Sequence, residues 1–570
     1  LLDNADSQVI NKELTNIFQD ENLNHSLLLE LAVLFDSRNY FKEAILVIKI
    51  SLLIEPGFFE AYLNLGRLFI KDSRISSAVH SFQLSILLQP NDISARYELA
   101  KALLLLGQYI KAKLIYETIL DIEPNHSDSL LNLALIKQKY RDYPESINLL
   151  LQACSLNDKF HLSISDRAIA LEALIFSSLS ICDWSNFYSF KKNSLDLGIK
   201  GEGIVPLGLM ALEDEPRHHL IRAQNFSKKY FFRKREELSI QFKQKIKIAY
   251  FSAHYFQHAT MNLMIRIFEL YNREKFEVYV FSYGTYKPDF VTNRVKQNVD
   301  FFYDINNIED REVVDLVRKQ SIDIAIDLMG YTDETRISIF SYGIAPIQIT
   351  YLGYPGTLGS NCFDYLLADS ILIPKESEKF YSEKIIRMPF CYQCNDDKKV
   401  LSSSNLSREI FDLPINGFVF ACFNANYKIT PHEFDIWMRL LNRVNGSVLW
   451  LLSSNKWSSD NLRREAIERG IDADRIIFAP KVTIVEHLNR HKCADLFLDT
   501  FNYNAHTTAS DALATGLPIV TKIGKSFSAR VCASLLNTLN LTELITSSPD
   551  EYENLAYKLA VDRQYYLDIK

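Results

Sequence analysis

"CADLFLDTFNYNAHTTASDALATG", residues 493–516, is the stretch whose reading decides the fold of the second half of the chain. Its opening, "CADLFLDTF", is a short and nearly unbroken apolar run, the composition of a parallel strand covered on both faces. From Asn502 onward it reads as a loop and then a helix, with His506, Thr507 and Thr508 at the junction. A helix start leaves backbone N–H groups unpaired and carries partial positive charge. Hydroxyls and an imidazole placed there make a seat for a phosphate, while the plainer reading is a threonine N-cap. If Thr507 opens the helix, Asp511 lies four residues on and three from Thr508, so all three share one face. A carboxylate one turn beyond a phosphate suits the hydroxyls of a ribose; alternatively it is an acidic residue favoured by the helix dipole. The pattern as a whole points to a nucleoside diphosphate.

The same texture runs through residues 241–570. Short apolar runs alternate with helical stretches: "KIKIAYFS" (245–252), "FEVYVFSYG", "IDIAIDLMG", "IQITYLGYPG" and "DYLLAD". A second series begins at "FVFACFN" (418–424) and continues through "SVLWLLSS", "RIIFAP", "ADLFLDT" and "LPIVTK". Such runs separated by helices predict parallel sheets covered on both faces. The polar stretch "DDKKVLSSSNLS" (396–407) separates the series, giving two Rossmann-like lobes over 241–400 and 401–570. Ligands bind beyond the carboxyl ends of such strands. That rule selects the loops holding His254 and His258, "GYPGT" (353–357), Lys428, and the His506 helix start. The two glycines of "GYPGT" allow close backbone approach.

The front of the chain is periodic. Pro56, Pro90 and Pro124 recur at 34 residues, as do Leu31, Leu65, Leu99 and Leu133. Each leucine precedes a small residue (Ala32, Gly66, Ala100, Ala134), and Ala44, Ala78, Ala112 and Ser146 keep the same step. This resembles the tetratricopeptide pattern, in which small residues let paired helices approach closely. It predicts an α-solenoid over roughly residues 22–160, within a first domain of 1–164, whose concave face suits peptides or protein partners, or which serves as a spacer or dimerisation arm. Residues 165–240 read as a helical connector, with the basic run Lys228–Arg235 as a solvated helix face.

Composition narrows the field. A chain of 570 residues, 48 % apolar, has room for three or more domains, and a net charge of −7 gives no electrostatic case for nucleic acid or anionic membranes. No apolar run approaches the roughly 20 residues that cross a bilayer. The first residue is Leu1 rather than Met, as expected of a processed or trimmed chain. Eight cysteines, mostly in apolar segments, suggest reduced thiols and a cytoplasmic setting. Cys391 and Cys394 form one CxxC, without the second ligand pair that a zinc site needs. There is no GxxxxGK[ST] loop and no GxGxxG after a strand, which argues against an ATPase and a dinucleotide oxidoreductase. The one Asp-x-Asp, Asp472 and Asp474, precedes a strand, on the wrong sheet edge for a metal–diphosphate site. What remains is a nucleotide-sugar site without a metal, using Lys428 and the helix start as its cationic seat.

"FSAHYFQHATMNLM", "DLMGYTDETR", "APIQITYLGYPGT", "FNANYKITP", "SVLWLL", "RIIFAP" and "HTTASDALATGLPIVT" resemble the O-linked N-acetylglucosamine transferases, particularly bacterial SPINDLY-like members of glycosyltransferase family 41. The resemblance covers about residues 240–570, and the repeats match that family's front end. It implies two lobes of the GT-B type and inverting transfer of N-acetylglucosamine from UDP-GlcNAc to Ser or Thr of proteins held by the repeats. It implies no metal or other cofactor, and it leaves open a homo-oligomer. Carried over by motif, His506, Thr507 and Thr508 contact phosphate, Asp511 binds ribose, and Lys428 neutralises the leaving diphosphate. His487 and Arg490 surround the uracil, although Glu486 and Arg490 equally suit a surface i,i+4 pair. His258 faces sugar and acceptor and is a candidate general base. The chain departs from animal relatives at Ala425, where they carry glutamine, and at Ile484, where they carry a lysine near the ribose. A looser grip or a different donor is compatible with both changes. The plant branch that uses GDP-fucose has a run of threonines where this chain keeps His506, which favours UDP. Two other readings remain, a related transferase with another sugar or a glycan acceptor, and a scaffold without activity. Intact Lys428, His506 and Asp511 speak against the scaffold.

Overall fold

A computed structural model of the chain describes residues 24–72, 74–155, 163–201, 203–231, 233, 235–240, 244–285, 287–399 and 406–570. The solenoid's expected margins at 22–23 and 156–160, Lys234 of the basic run and the inter-lobe stretch 400–405 lie outside the described residues. The chain divides into two compact units, Leu1–Ser163 and Ile164–Lys570.

In the first unit, helices starting at His25, Phe59, Ile93 and Ser127 alternate with helices starting at Phe41, Ile75, Tyr109 and Tyr143, so both sets advance by 34 residues. The small residues do what the period requires. Ala44, Ala78, Ala112 and Ser146 are fully buried between helices, and a Cβ on Gly66 would overlap the Phe82 ring. Each proline follows a helix whose C-cap residue, Glu55, Gln89 or Glu123, has left the helical region. In three of the four pairs the turn between the helices is left-handed, at Asn39, Gly107 and Arg141.

The second unit contains two parallel sheets. The first holds β1 (Ile246–Ser252), β2 (Phe276–Ser282), β3 (Phe301–Asp304), β4 (Ile324–Asp327), β5 (Ile347–Thr350), β6 (Tyr365–Ala368) and β7 (Lys384–Arg387). Its order is β3-β2-β1-β4-β5-β6-β7. The second holds β8 (Val419–Cys422), β9 (Val448–Leu452), β10 (Ile476–Ala479), β11 (Leu496–Leu498), β12 (Ile519–Lys522) and β13 (Ile545–Thr546), ordered β10-β9-β8-β11-β12-β13. In both, the strand order reverses beside the first strand, which opens a crevice between β1 and β4 and another between β8 and β11. β3, β7 and β13 were not legible as apolar runs. They are short and lie at or next to sheet edges, and β3 and β7 have partly exposed side chains.

Helices Ile164–Ser180, Phe187–Ser194 and Pro216–Tyr230 belong to the second unit and buttress its site. The first packs on the Asn426–Lys428 turn, with Phe176 and Tyr427 rings 5.3 Å apart. The basic run is a solvated helix face only at its start, where Lys228 and Lys229 lie exposed in the last helical turn. Its helix ends at Tyr230, and Arg235 grips both oxygens of Asp364 at 2.9 and 3.0 Å and reaches the carbonyls of Ala345 and Pro346. Gly353 abuts the backbone of Leu328 and Met329, so its lack of a side chain serves loop-on-loop packing within the lobe. Cys391 and Cys394 diverge, one sulfur lying beside Ser534 Oγ and the other beside Met264 Sδ.

Candidate active site

The crevice between β8 and β11 gathers most of the residues singled out above. Lys428 ends a 3-10 turn after β8. Its Nζ donates to the Asn504 carbonyl at 3.0 Å and sits 3.8 Å above the Tyr503 ring centre. Burial brings this ammonium down from its usual range to about 7, while Asp499 opposes the change. Asp499, directly after β11, is the pin of the facing loop. One oxygen accepts from the Thr500 and Ala505 N–H groups at 2.9 and 2.6 Å, and the other accepts from Thr521 Oγ1 at 2.7 Å. Its burial raises the carboxyl to about 6.

The helix Thr507–Ala514 begins with His506 at the N-cap position, and no side chain caps it. The threonine-cap reading is therefore not realised. Thr508 Oγ1 instead donates to Asn424 Oδ1 at 2.6 Å, tying the helix start to the loop after β8. Thr507 is the first helical residue. His506 donates Nε2–H toward the Ser528 carbonyl at 3.3 Å, and burial keeps the ring neutral by depressing its pKa well below the histidine range. With that proton committed, what this helix start offers an anion is its own first-turn N–H groups.

Asp511 lies one turn in and is 3 % exposed. Its Oδ1 accepts from Lys399 Nζ at 2.9 Å, and its Oδ2 lies 4.0 Å from His487 Nε2. His487 Nδ1 accepts from Arg490 Nη2 at 2.6 Å, which leaves the ring proton on Nε2, toward Asp511. Burial, His491 and Arg490 together hold His487 neutral, at about 2. Arg490 is turned inward, donating to the Pro480 carbonyl and lying 4.7 Å over the Phe423 ring. Glu486 closes a capping box with Thr483. Glu486 and Arg490 are not a surface pair, because exposed Glu486 is taken by Thr483 at the helix start while Arg490 points inward.

In the first lobe, His258 is the N-cap of helix Ala259–Leu270, its Nδ1 accepting from the Thr260 N–H at 3.3 Å. A neutral imidazole that accepts at Nδ1 carries its proton on Nε2, so the free nitrogen is a donor. Stacking on His254 at 3.7 Å accompanies a further effect of burial, which lowers His258 to about 4 and His254 to about 3. That basicity is far below the neutral value that suits a general base. Helix Ala259–Leu270 packs directly on helix Thr507–Ala514, bringing the His258 and His506 elements together from opposite lobes.

Asn424, Asp499, Gln393 and Lys399 were missed by sequence reasoning. Gln393 spans the lobes to Ser510 Oγ at 2.5 Å. Asn424 and Asp499 follow strands β8 and β11 and were within reach of the strand-end rule; Lys399 sits in a stretch that reads as polar linker.

Two parallel-sheet lobes with crevices at their strand ends define the GT-B class of fold, and an uncapped helix start beside half-buried Lys428 marks its site. The chain belongs to glycosyltransferase family 41, whose pattern matches residues 220–406 and 402–570; the tetratricopeptide pattern matches residues 93–126. It is 34 % identical over 326 residues to a probable UDP-N-acetylglucosamine–peptide N-acetylglucosaminyltransferase SEC of Arabidopsis thaliana, covering 56 % of this chain and 33 % of that protein. A probable SPINDLY transferase of Oryza sativa subsp. japonica is 31 % identical over 327 residues, covering 55 % and 34 %. The matches thus span about a third of these curated relatives. A solved Thermobaculum terrenum O-GlcNAc transferase variant shares the fold, with a TM-score of 0.64 at 22 % identity over 90 % of this chain and 91 % of that one. Among the described residues no helix is long and apolar enough to cross a membrane.

Proposed function

We propose that this chain transfers N-acetylglucosamine from UDP-GlcNAc to serine or threonine hydroxyls of proteins, in one inverting displacement and without a metal. The observation that carries this reading is Lys428 at the β8–β11 crevice, beside an uncapped helix start with Asp511 one turn on. The diphosphate lies against the first-turn N–H groups, and the ribose hydroxyls donate to Asp511. As the acceptor oxygen bonds to the anomeric carbon and gives its proton to the departing diphosphate or to water, the bond to the β-phosphate oxygen breaks and charge collects on UDP. Lys428, poorly solvated beforehand, gains most from that charge, and one such donor is worth roughly 10²–10³ in rate. This cationic seat does the work a divalent ion would do. Nε2–H of His258 orients the sugar or its acceptor as a donor, and the structure assigns no base.

The solenoid supports the protein-acceptor part. A groove of about 310 Å³ opens among the helices that start at His25, Phe41, Phe59 and Ile93, lined by Asn64, Arg67, Glu98 and Lys101 among others. Arg67 and Glu98 pair at 3.2 Å and Asp36 with Lys71 at 2.6 Å, so both signs of charge are offered to a peptide. Thermal shifts with UDP, GDP and their sugars test the donor, since a ligand of the native state raises its stability. Peptide labelling by UDP-GlcNAc then tests transfer. A shift with GDP-sugars alone, or binding without labelling of any Ser/Thr peptide, would overturn the reading.

A further inference from the structure

Residues 396–399, "DDKK", lie between the lobes and are clamped to both. The Asp396 carboxylate accepts from both terminal nitrogens of Arg294, at 2.7 and 3.2 Å. Asp397 accepts from Arg266 Nε at 2.7 Å, and Lys398 pairs with Glu269 at 2.7 Å. Arg266 and Glu269 belong to the helix that His258 caps. The fourth residue turns to the other lobe, where Lys399 pairs with Asp511 and both side chains are nearly excluded from water, 13 % and 4 % exposed.

We propose that Lys399 is a positioning residue for the donor nucleotide, its ammonium balancing and orienting the Asp511 carboxylate so that this group can accept from ribose hydroxyls. The inference rests on the ribose reading of Asp511 given above. Burial raises the Asp511 carboxyl, and Lys399 is the group that opposes it. The others around it do not replace Lys399. His487 is neutral, with Arg490 behind it engaged by His487 and Pro480. Helix Ala259–Leu270 brings only Arg266 and Glu269, which are tied to Arg294 and to the strap formed by residues 396–399. Helix Val531–Thr538 brings Cys532, and β12 brings Lys522, which lies over Phe501. The strap thus ties the carboxylate of one lobe to the His258 helix of the other.

The test titrates UDP-GlcNAc into the full chain and its Lys399→Met and Lys399→Arg variants between pH 6 and 9. Removing an opposite charge at this range raises a carboxyl by about one to three pH units. In Lys399→Met, UDP-GlcNAc affinity relative to the wild-type chain at the same pH should therefore fall by ten- to a hundredfold toward pH 6 and approach the wild-type value toward pH 9, while Lys399→Arg stays near wild type throughout. If Lys399→Met does not fold, Lys399→Gln reads the same profile. A loss equal at every pH would mean that Lys399 touches the nucleotide itself, and no loss would remove it from the site; either result overturns the inference alone. Failure of the wild-type chain to bind UDP-GlcNAc would overturn the ribose reading and this inference with it.

Discussion

Lys428 predicts a proton uptake that accompanies donor binding. An ammonium that ordinarily loses its proton near 10.5 does so at about 7 when held by these protein groups alone. At about 1.4 kcal/mol per pH unit, carrying the charge there costs roughly 4–5 kcal/mol. A diphosphate restores the charge, so the bound form is protonated well above pH 7 while the free form is not. The sign follows: binding takes up about 0.5 proton at pH 7 and about 0.9 at pH 8, and affinity weakens as pH rises. Between pH 7 and 9 the dissociation constant of UDP-GlcNAc should rise about fiftyfold. UDP-GlcNAc is the right probe, because its phosphates are diesters and do not titrate in this window, unlike the terminal phosphate of UDP. His258, His487 and His506 are all held neutral across it. Calorimetry in two buffers of different ionisation enthalpy reads the uptake directly, and Lys428→Met should abolish it. Affinity that is flat from pH 7 to 9, with the same enthalpy in both buffers, would refute the reasoning.

Asp511→Asn should weaken UDP and UDP-GlcNAc alike by about ten- to a hundredfold, the worth of a charged acceptor bond, and appear in donor KM more than in kcat. An unchanged UDP titration would make Asp511 a structural partner of Lys399 only. His258→Ala should cost about 1 kcal/mol in denaturant unfolding through its lost cap, whereas His258→Asn keeps a capping oxygen and should unfold like wild type yet transfer more slowly. EDTA should leave transfer unaffected, and loss restored by Mn²⁺ would show that a metal shares the seat. Deleting residues 1–160 should spare UDP binding and weaken peptide glycosylation, because a solenoid contacts only its own neighbours; equal loss of both would show that the catalytic unit needs the repeats to fold.

The solenoid was legible because its rules are local. Helix pairing demands small residues at fixed offsets, and Gly66, Ala78 and Ala112 satisfy that demand within neighbouring repeats. Strands buried on both faces were legible for the same reason, since every side chain of β8 and β11 is apolar and buried. β3 and β7 escaped because lateral and edge strands need no such run. At the site, the sequence placed Lys428, His506, Thr507, Thr508 and Asp511 at strand ends and a helix start, which fixes chemistry but not charge state. The depressed lysine, the histidine that donates rather than accepts, and the Lys399–Asp511 pair depend on what surrounds each group. Lys399 and Asp511 are 112 residues apart. Desolvation and long-range ion pairing are properties of the assembled lobes, so only the tertiary structure decided them.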